Sequence, residues 1–106
     1  MGYSYFFTDK ASKDLDDILD YPTNTLSNRK ASIEFFNALS KQINLLCDFP
    51  ESSTIVENKF IDFFEIRKAL IKKYIMYYYV NHSNKSIYII TIRHSFENQE
   101  RIIKKL

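Results

Sequence analysis

The chain has one glycine, Gly2, and two prolines in 106 residues. A Gly-rich phosphate-binding loop needs several glycines at fixed spacing, so nucleotide hydrolysis of the P-loop type is excluded. So few glycines and prolines also leave little flexible linker. The single cysteine, Cys47, rules out an internal disulfide and fits a reducing cytosol. It lies beside Leu45 and Leu46 on a helical pattern, which reads as a small buried apolar residue rather than a reactive thiol. The only histidines are His82 and His94. No His-x-x-x-His, Cys-x-x-Cys or facial-triad spacing exists, so neither a metal nor another cofactor is expected. No apolar run approaches the ~20 residues that span a bilayer. The N-terminus lacks the charged-then-apolar layout of a signal peptide. The expected location is cytoplasmic.

Tryptophan is absent too, but 8 Tyr and 9 Phe are present. Each aromatic ring buries a large area, which helps a small chain reach stability. With 45% hydrophobic and 26% charged residues, the composition is that of a globular protein, and the length fits one domain over 1–106. Charge is uneven. Residues 1–58 carry 5 basic and 9 acidic side chains, a balance of −4. Residues 59–106 carry 10 basic and 4 acidic, a balance of +6. The second half is thus suited to an acidic partner, either nucleic acid or an acidic protein, with a solvated charged surface as the plain alternative.

Tyr3–Phe7 is short and aromatic and reads as a strand. Thr8 can cap the helix that follows, in which Ala11, Leu15, Ile18 and Leu19 form one apolar stripe. Asp14, Asp16, Asp17 and Asp20 mostly face away from that stripe. Pro22 ends this helix near Tyr21. Ser27 is the expected cap of a second helix reaching Cys47, with the stripe Ala31, Phe35, Phe36, Leu39, Ile43 and Leu46. A short connection implies an antiparallel helix hairpin. Asp48-Phe49-Pro50 closes the second helix. Phe60 to Arg67 is then expected as a strand, Lys68 to Lys72 as a hairpin connection, Tyr74 to Val80 as a strand covered on both faces, Asn81 to Lys85 as a turn, and Ile87 to Arg93 as a last strand. Ser95 to Leu106 is a short helix or a tail. The order β-α-α-β-β-β predicts an α+β fold, with helices on one face of a mainly antiparallel sheet.

Arg67, Arg93 and His94 are the candidate site. On neighbouring strands they could converge on one patch. Guanidinium groups suit phosphate through paired hydrogen bonds, and a histidine can act as acid or base near neutral pH. Lys59, Lys72, Lys73 and Tyr74 could join the rim. The alternative for Arg67 is an internal structural role, paired with Glu65 or a helix carboxylate. Tyr77-Tyr78-Tyr79 could stack bases, or be strand core.

Several segments together resemble the RelE/ParE family of bacterial toxins. Tyr5-Phe6-x-x-x-x-Ala11-x-x-Asp14-Leu15-x-x-Ile18 is similar to the family's first strand and helix. Ala31-x-x-x-Phe35-x-x-x-Leu39-x-x-x-Ile43-x-x-Leu46 is similar to its second helix, and Phe49-Pro50 to its usual exit. Glu65-Ile66-Arg67, Tyr74-Ile75-Met76-Tyr77-Tyr78 and Ile90-Thr91-Ile92-Arg93-His94 resemble its strands. The resemblance implies the toxin of a type II toxin–antitoxin module, bound and neutralised by a small antitoxin in a hetero-oligomer. Two activities are known for such toxins. One is ribosome-dependent cleavage of mRNA, for which Arg67, Arg93 and His94 would be catalytic. The other is poisoning of DNA gyrase, which needs no hydrolytic site. RNA-cleaving members usually carry arginine where this chain has Tyr74, and often a His-Tyr pair where it has Ser95-Phe96. Arg93-His94 matches the ending seen among ParE-like members. The resemblance therefore implies a gyrase-directed toxin, with Lys72, Lys73, Arg101, Lys104 and Lys105 contacting the target. A chain that only binds antitoxin is the third reading.

Overall fold

In a computed structural model of the chain, the described residues are 2–20, 29–56, 65–98 and 101–102. Five strands and two helices follow the order β1 (Ser4–Phe7), α1 (Asp9–Asp20), α2 (Arg29–Asp48), β2 (Thr54–Ile55), β3 (Ile66–Ile71), β4 (Tyr74–Asn81) and β5 (Ser86–His94). No helix among the described residues is long and apolar enough to cross a membrane.

Thr8 starts α1 as expected. Its hydroxyl accepts the Ala11 N–H at 3.1 Å and donates to the Ile90 carbonyl at 2.9 Å. One side chain therefore satisfies an orphan helix donor and ties the helix to β5. Ala11 and Ile18 are buried, and Leu15 and Leu19 pack against the same core. Asp14 departs from the expected outward set. Its carboxylate accepts from the Thr91 hydroxyl and from the Ile92 N–H, the latter at 3.2 Å. The reason lies in the sheet. β1 pairs with β5 only as far as Phe7 opposite Ile89, so β5 runs on without a strand partner on that side. Asp14 supplies the missing acceptor.

Phe35, Leu39, Ile43 and Leu46 of α2 are buried in that core. Phe36, expected in the stripe, is 50% exposed, because it points about 100° round the helix from Phe35, which takes the core-facing position. Burial pushes the Cys47 thiol up, which suits an inert packing role. The expected cap Ser27 lies outside the described residues.

The sheet order is β1-β5-β4-β3-β2, with β1 parallel to β5 and all other pairs antiparallel. The expected hairpin connection over Lys68–Lys72 is corrected. β3 spans Ile66–Ile71, and the turn falls on Lys72–Lys73, with Lys72 at φ 56°. Residues 60–64 lie outside the described residues. Within Lys68–Ile71, buried Ala69 and Ile71 alternate with exposed Leu70, a period-2 pattern that marks strand rather than turn. β2 is a two-residue edge that its sequence does not announce. β4 is covered on both faces. Tyr74, Met76, Tyr78 and Val80 meet the helices, while Ile75 and Tyr77 join Val56, Ile66 and Ile102 on the other side.

Thr8→Ala should remove the cap and the tie to β5 together. The expected outcome is a loss of about 1–2 kcal/mol, read as a lower urea midpoint with an unchanged slope.

Candidate functional site

β5 ends in Arg93 and His94, which lie opposite Ile75 and Tyr74 of β4. The Lys72–Lys73 turn is at the same end, because the Ser95 N–H donates to the Lys73 carbonyl at 2.8 Å. Arg93, His94, Lys72 and Lys73 are therefore brought together. The Arg93 Nε donates to both Glu97 oxygens at 3.1 Å, and its Nη2 donates to Oε1 at 2.6 Å. The His94 N–H adds a bond to Oε2 at 3.1 Å. Hydrogen bonds from Arg93 are the main reason the Glu97 carboxyl titrates below its ordinary range, and the same pairing raises Arg93.

Side-chain packing fixes the His94 ring. It meets Tyr74 edge-on at 5.2 Å, and Tyr74 meets Phe35 of the core edge-on at 5.2 Å. Phe96 covers the ring at 4.7 Å while remaining 89% exposed. The His94 Nδ1 accepts the Phe96 N–H at 3.2 Å, so the neutral ring carries its proton on Nε2. Beside this cluster lies a cavity of about 470 Å³, walled by Lys10, Thr91, Arg93, Glu97, Asn98 and Arg101 over Ile90 and Ile102. The Asn98 side chain accepts the Arg101 N–H at 3.1 Å, and buried Ile102 anchors that helical turn. Lys59, Lys104 and Lys105 lie outside the described residues.

Arg67 is not part of this cluster. It is in register with Tyr78, and its guanidinium is buried. It donates to Glu65 at 2.8 Å, to the Ser53 carbonyl at 2.6 Å and to the Glu51 carbonyl at 3.1 Å. Tyr78 works beside it, bonding the Ser53 hydroxyl and donating to the Pro50 carbonyl at 3.1 Å. Together they clamp the α2–β2 connection. The structural reading of Arg67 is the one the geometry fits, and Glu65 is the partner foreseen. Tyr77 and Tyr78 are core, not an open base platform. Tyr79 stacks on Tyr88 at 4.9 Å, and Tyr88 on Phe6 at 5.6 Å.

One other gathering of ligand-type side chains occurs among the described residues. Glu51, Glu65 and His82 bring one ligand atom each within 4.8 Å of one another. Both carboxylates already pair with Arg67, which is a fixed cation, so the group is an ion-pair cluster.

Lys10, Glu97 and Asn98 are site residues that sequence reasoning missed. Glu97 stands four residues after Arg93, a spacing that signals pairing on a helix. Here it crosses from a strand end into a turn, where no such rule applies.

The family model described as the ParE toxin of type II toxin–antitoxin system, parDE, matches residues 5–99. No curated protein matches the sequence. The archaeal RelE–RelB complex from Pyrococcus horikoshii OT3 contains a similar structure at TM-score 0.63 and 18% identity, covering 92% of this chain and 100% of that one. The chromosomal ParDE system from P. aeruginosa contains another at TM-score 0.64 and 20% identity, covering 88% and 96%. At these identities the likeness is one of fold, and it matches the expected α+β arrangement.

Two outcomes test this geometry. Arg67→Ala should cost about 3 kcal/mol in urea unfolding, because it leaves buried acceptors and a carboxylate without their cation. Its effect on any activity should follow the folded fraction alone. Glu97, with a lowered carboxyl pKa, contributes stability above the ordinary glutamate value of about 4.3. That contribution is lost as pH falls through the folded-state value. The stability gap between the native chain and Glu97→Gln should be full at neutral pH and close in acid. A gap that persists below the folded-state value would contradict the pairing.

Proposed function

Because the chain belongs to the ParE toxin family of type II toxin–antitoxin systems, we propose that it inhibits DNA gyrase in the cytoplasm of a bacterium and is neutralised by a cognate antitoxin. The observation that carries the gyrase reading is the separation of Arg67 from Arg93 and His94. Cleaving RNA through its 2′-hydroxyl needs a base, an acid and cationic support for the pentavalent phosphorus in one place. With Arg67 committed to the α2–β2 clamp, that set of three does not assemble. Arg93 is held by a carboxylate, and Tyr74 carries a buried ring at the position where, by the family resemblance, RNA-cleaving members usually carry arginine. A binding surface needs none of this chemistry. It needs fixed shape and charge, which His94, Phe96, Arg93 and the Lys72–Lys73 turn provide.

Ribosome-dependent mRNA cleavage is the second reading. It is favoured by His94 following Arg93 at the strand end beside the Lys72–Lys73 turn. An antitoxin partner for this chain rests on the family, whose two similar structures come from toxin–antitoxin systems.

The test is pulse-labelling of DNA and protein synthesis just after the chain is induced without antitoxin. DNA synthesis should fall first while translation continues. Arg93→Ala and His94→Ala should each weaken growth inhibition by about tenfold, equivalent to roughly 1.4 kcal/mol of lost target binding, with antitoxin binding kept. Translation collapsing first would replace the gyrase reading with the nuclease one. Normal growth with intact antitoxin binding would leave a chain that only binds antitoxin.

A further inference from the structure

Arg93 is already bound to something, and what it binds is a carboxylate. The Glu97 oxygens receive three contacts from the guanidinium and one from the His94 N–H. The donors come from the Nε/Nη2 edge of the arginine, the geometry that suits a planar two-oxygen acceptor. Glu97 is nevertheless near the surface, with its side chain 39% exposed. Among the described residues, the adjoining cavity carries Lys10, Arg93 and Arg101 against the one carboxylate of Glu97. Lys10 leans toward Asp14 at 3.1 Å, and Arg101 makes no ion pair among the described residues. Nearby, the Tyr77 hydroxyl is buried with no hydrogen-bond partner among the described residues, and it feels the charges of both Arg93 and Glu97.

We infer that this cavity is a docking site for an Asp or Glu side chain of a partner protein, and that Glu97 occupies Arg93 as an internal stand-in which the incoming carboxylate displaces. The inference rests on reading the Arg93 end as the working surface and specifies its chemistry. Charge is conserved in the exchange, since one carboxylate leaves Arg93 and one arrives. The ion pair is never left open to a desolvation penalty. A protein side chain fits better than a nucleic-acid backbone. The cavity is a partly open concave pocket floored by apolar Ile90 and Ile102 and not an extended cationic track, and its neighbour Phe96 is an exposed ring of the kind that anchors protein interfaces. Because Glu97 is tethered four residues away, it competes at high effective concentration and weakens every external carboxylate.

The test uses the purified full chain and two fluorescent probes, a hexaglutamate peptide and an RNA hexamer, in anisotropy titrations at low salt. Glu97→Gln should bind the peptide about tenfold more tightly than the native chain. Glu34→Gln, the same charge change on an exposed part of α2, should not. The double change Glu97→Gln with Arg93→Gln should lose the gain, and thermal melts establish that each variant is folded. Equal peptide affinity in the native and Glu97→Gln chains overturns the exchange, as does a gain that survives loss of Arg93. A gain for RNA without one for peptide makes the site a phosphate site and overturns it as well. Growth inhibition by Arg93→Ala separates the two layers. Loss of toxicity without a Glu97→Gln gain sinks the exchange alone, whereas retained toxicity with that gain supports the exchange and sinks the working-surface reading.

Discussion

Helices cover one face of the sheet, so the other face has to be closed by something else, and among the described residues Ile102 joins the cluster of Tyr77 there. Tyr77 sits on the central strand with no exposed area, and Ile102 packs into its cluster with Val56, Ile66 and Ile75. Toward the β1 edge the same strands are covered by the Phe6–Tyr88–Tyr79 ring stack. The candidate site depends on the Ile102 contact. Ile102 holds the helical turn that carries Arg101, and Asn98 caps it. That turn is one wall of the cavity against Arg93. Burying one isoleucine contributes about 1.5–3 kcal/mol. Among the described residues, that contact and the Asn98 cap are what tie the wall to the sheet.

Opposite ends of β4 do opposite jobs. At the Tyr78 end, Arg67 and the tyrosine hydroxyl satisfy carbonyls of residues 50, 51 and 53, which otherwise would lie unpaired against the sheet. Only arginine offers enough donors in one rigid fork to bond two carbonyls and two carboxylates, so lysine is no substitute there. At the Tyr74 end, the hydrogen bonds gather at the surface around Glu97 and the His94 ring, and a ring stack leads from Phe35 through Tyr74 to His94 and out to Phe96. Stability is concentrated at one end, which leaves the other free to vary its chemistry.

What the sequence revealed follows from which signals are local. The Thr8 cap, the α1 stripe and the two-faced burial of β4 depend on spacing within one segment, and each was legible. Arg93-His94 was legible as a pair because the two are adjacent on a strand that ends there. Arg67 was not placed, because composition cannot say which end of a sheet a strand residue occupies once the register is unknown. The β3 boundary was misplaced for a related reason. Aromatic density in 60–67 outweighed the weaker alternation of Lys68–Ile71, which pairing with β4 makes strand. Asp14 turned inward because β1 stops short of the end of β5, a mismatch of strand lengths that no single segment contains. Glu97 was hidden because its meaning depends on where Arg93 points.

The sum of charges overstates the cationic surface for the same reason. The second half of the chain carries a balance of +6, yet Arg67 is neutralised by Glu51 and Glu65, and Arg93 by Glu97. At the Tyr74 end, exposed Lys72, Lys73 and Arg101 make no ion pairs among the described residues. Exposed cations of this kind steer an acidic partner from a distance, and salt screens them over about 10 Å. Arg93 acts only on contact, because its field is cancelled by Glu97 until an exchange occurs. Steering and recognition are therefore carried by different residues, and they respond differently to salt. Raising ionic strength slows encounter through the lysines. It leaves the partly buried Arg93 pair, whichever carboxylate fills it, far less affected.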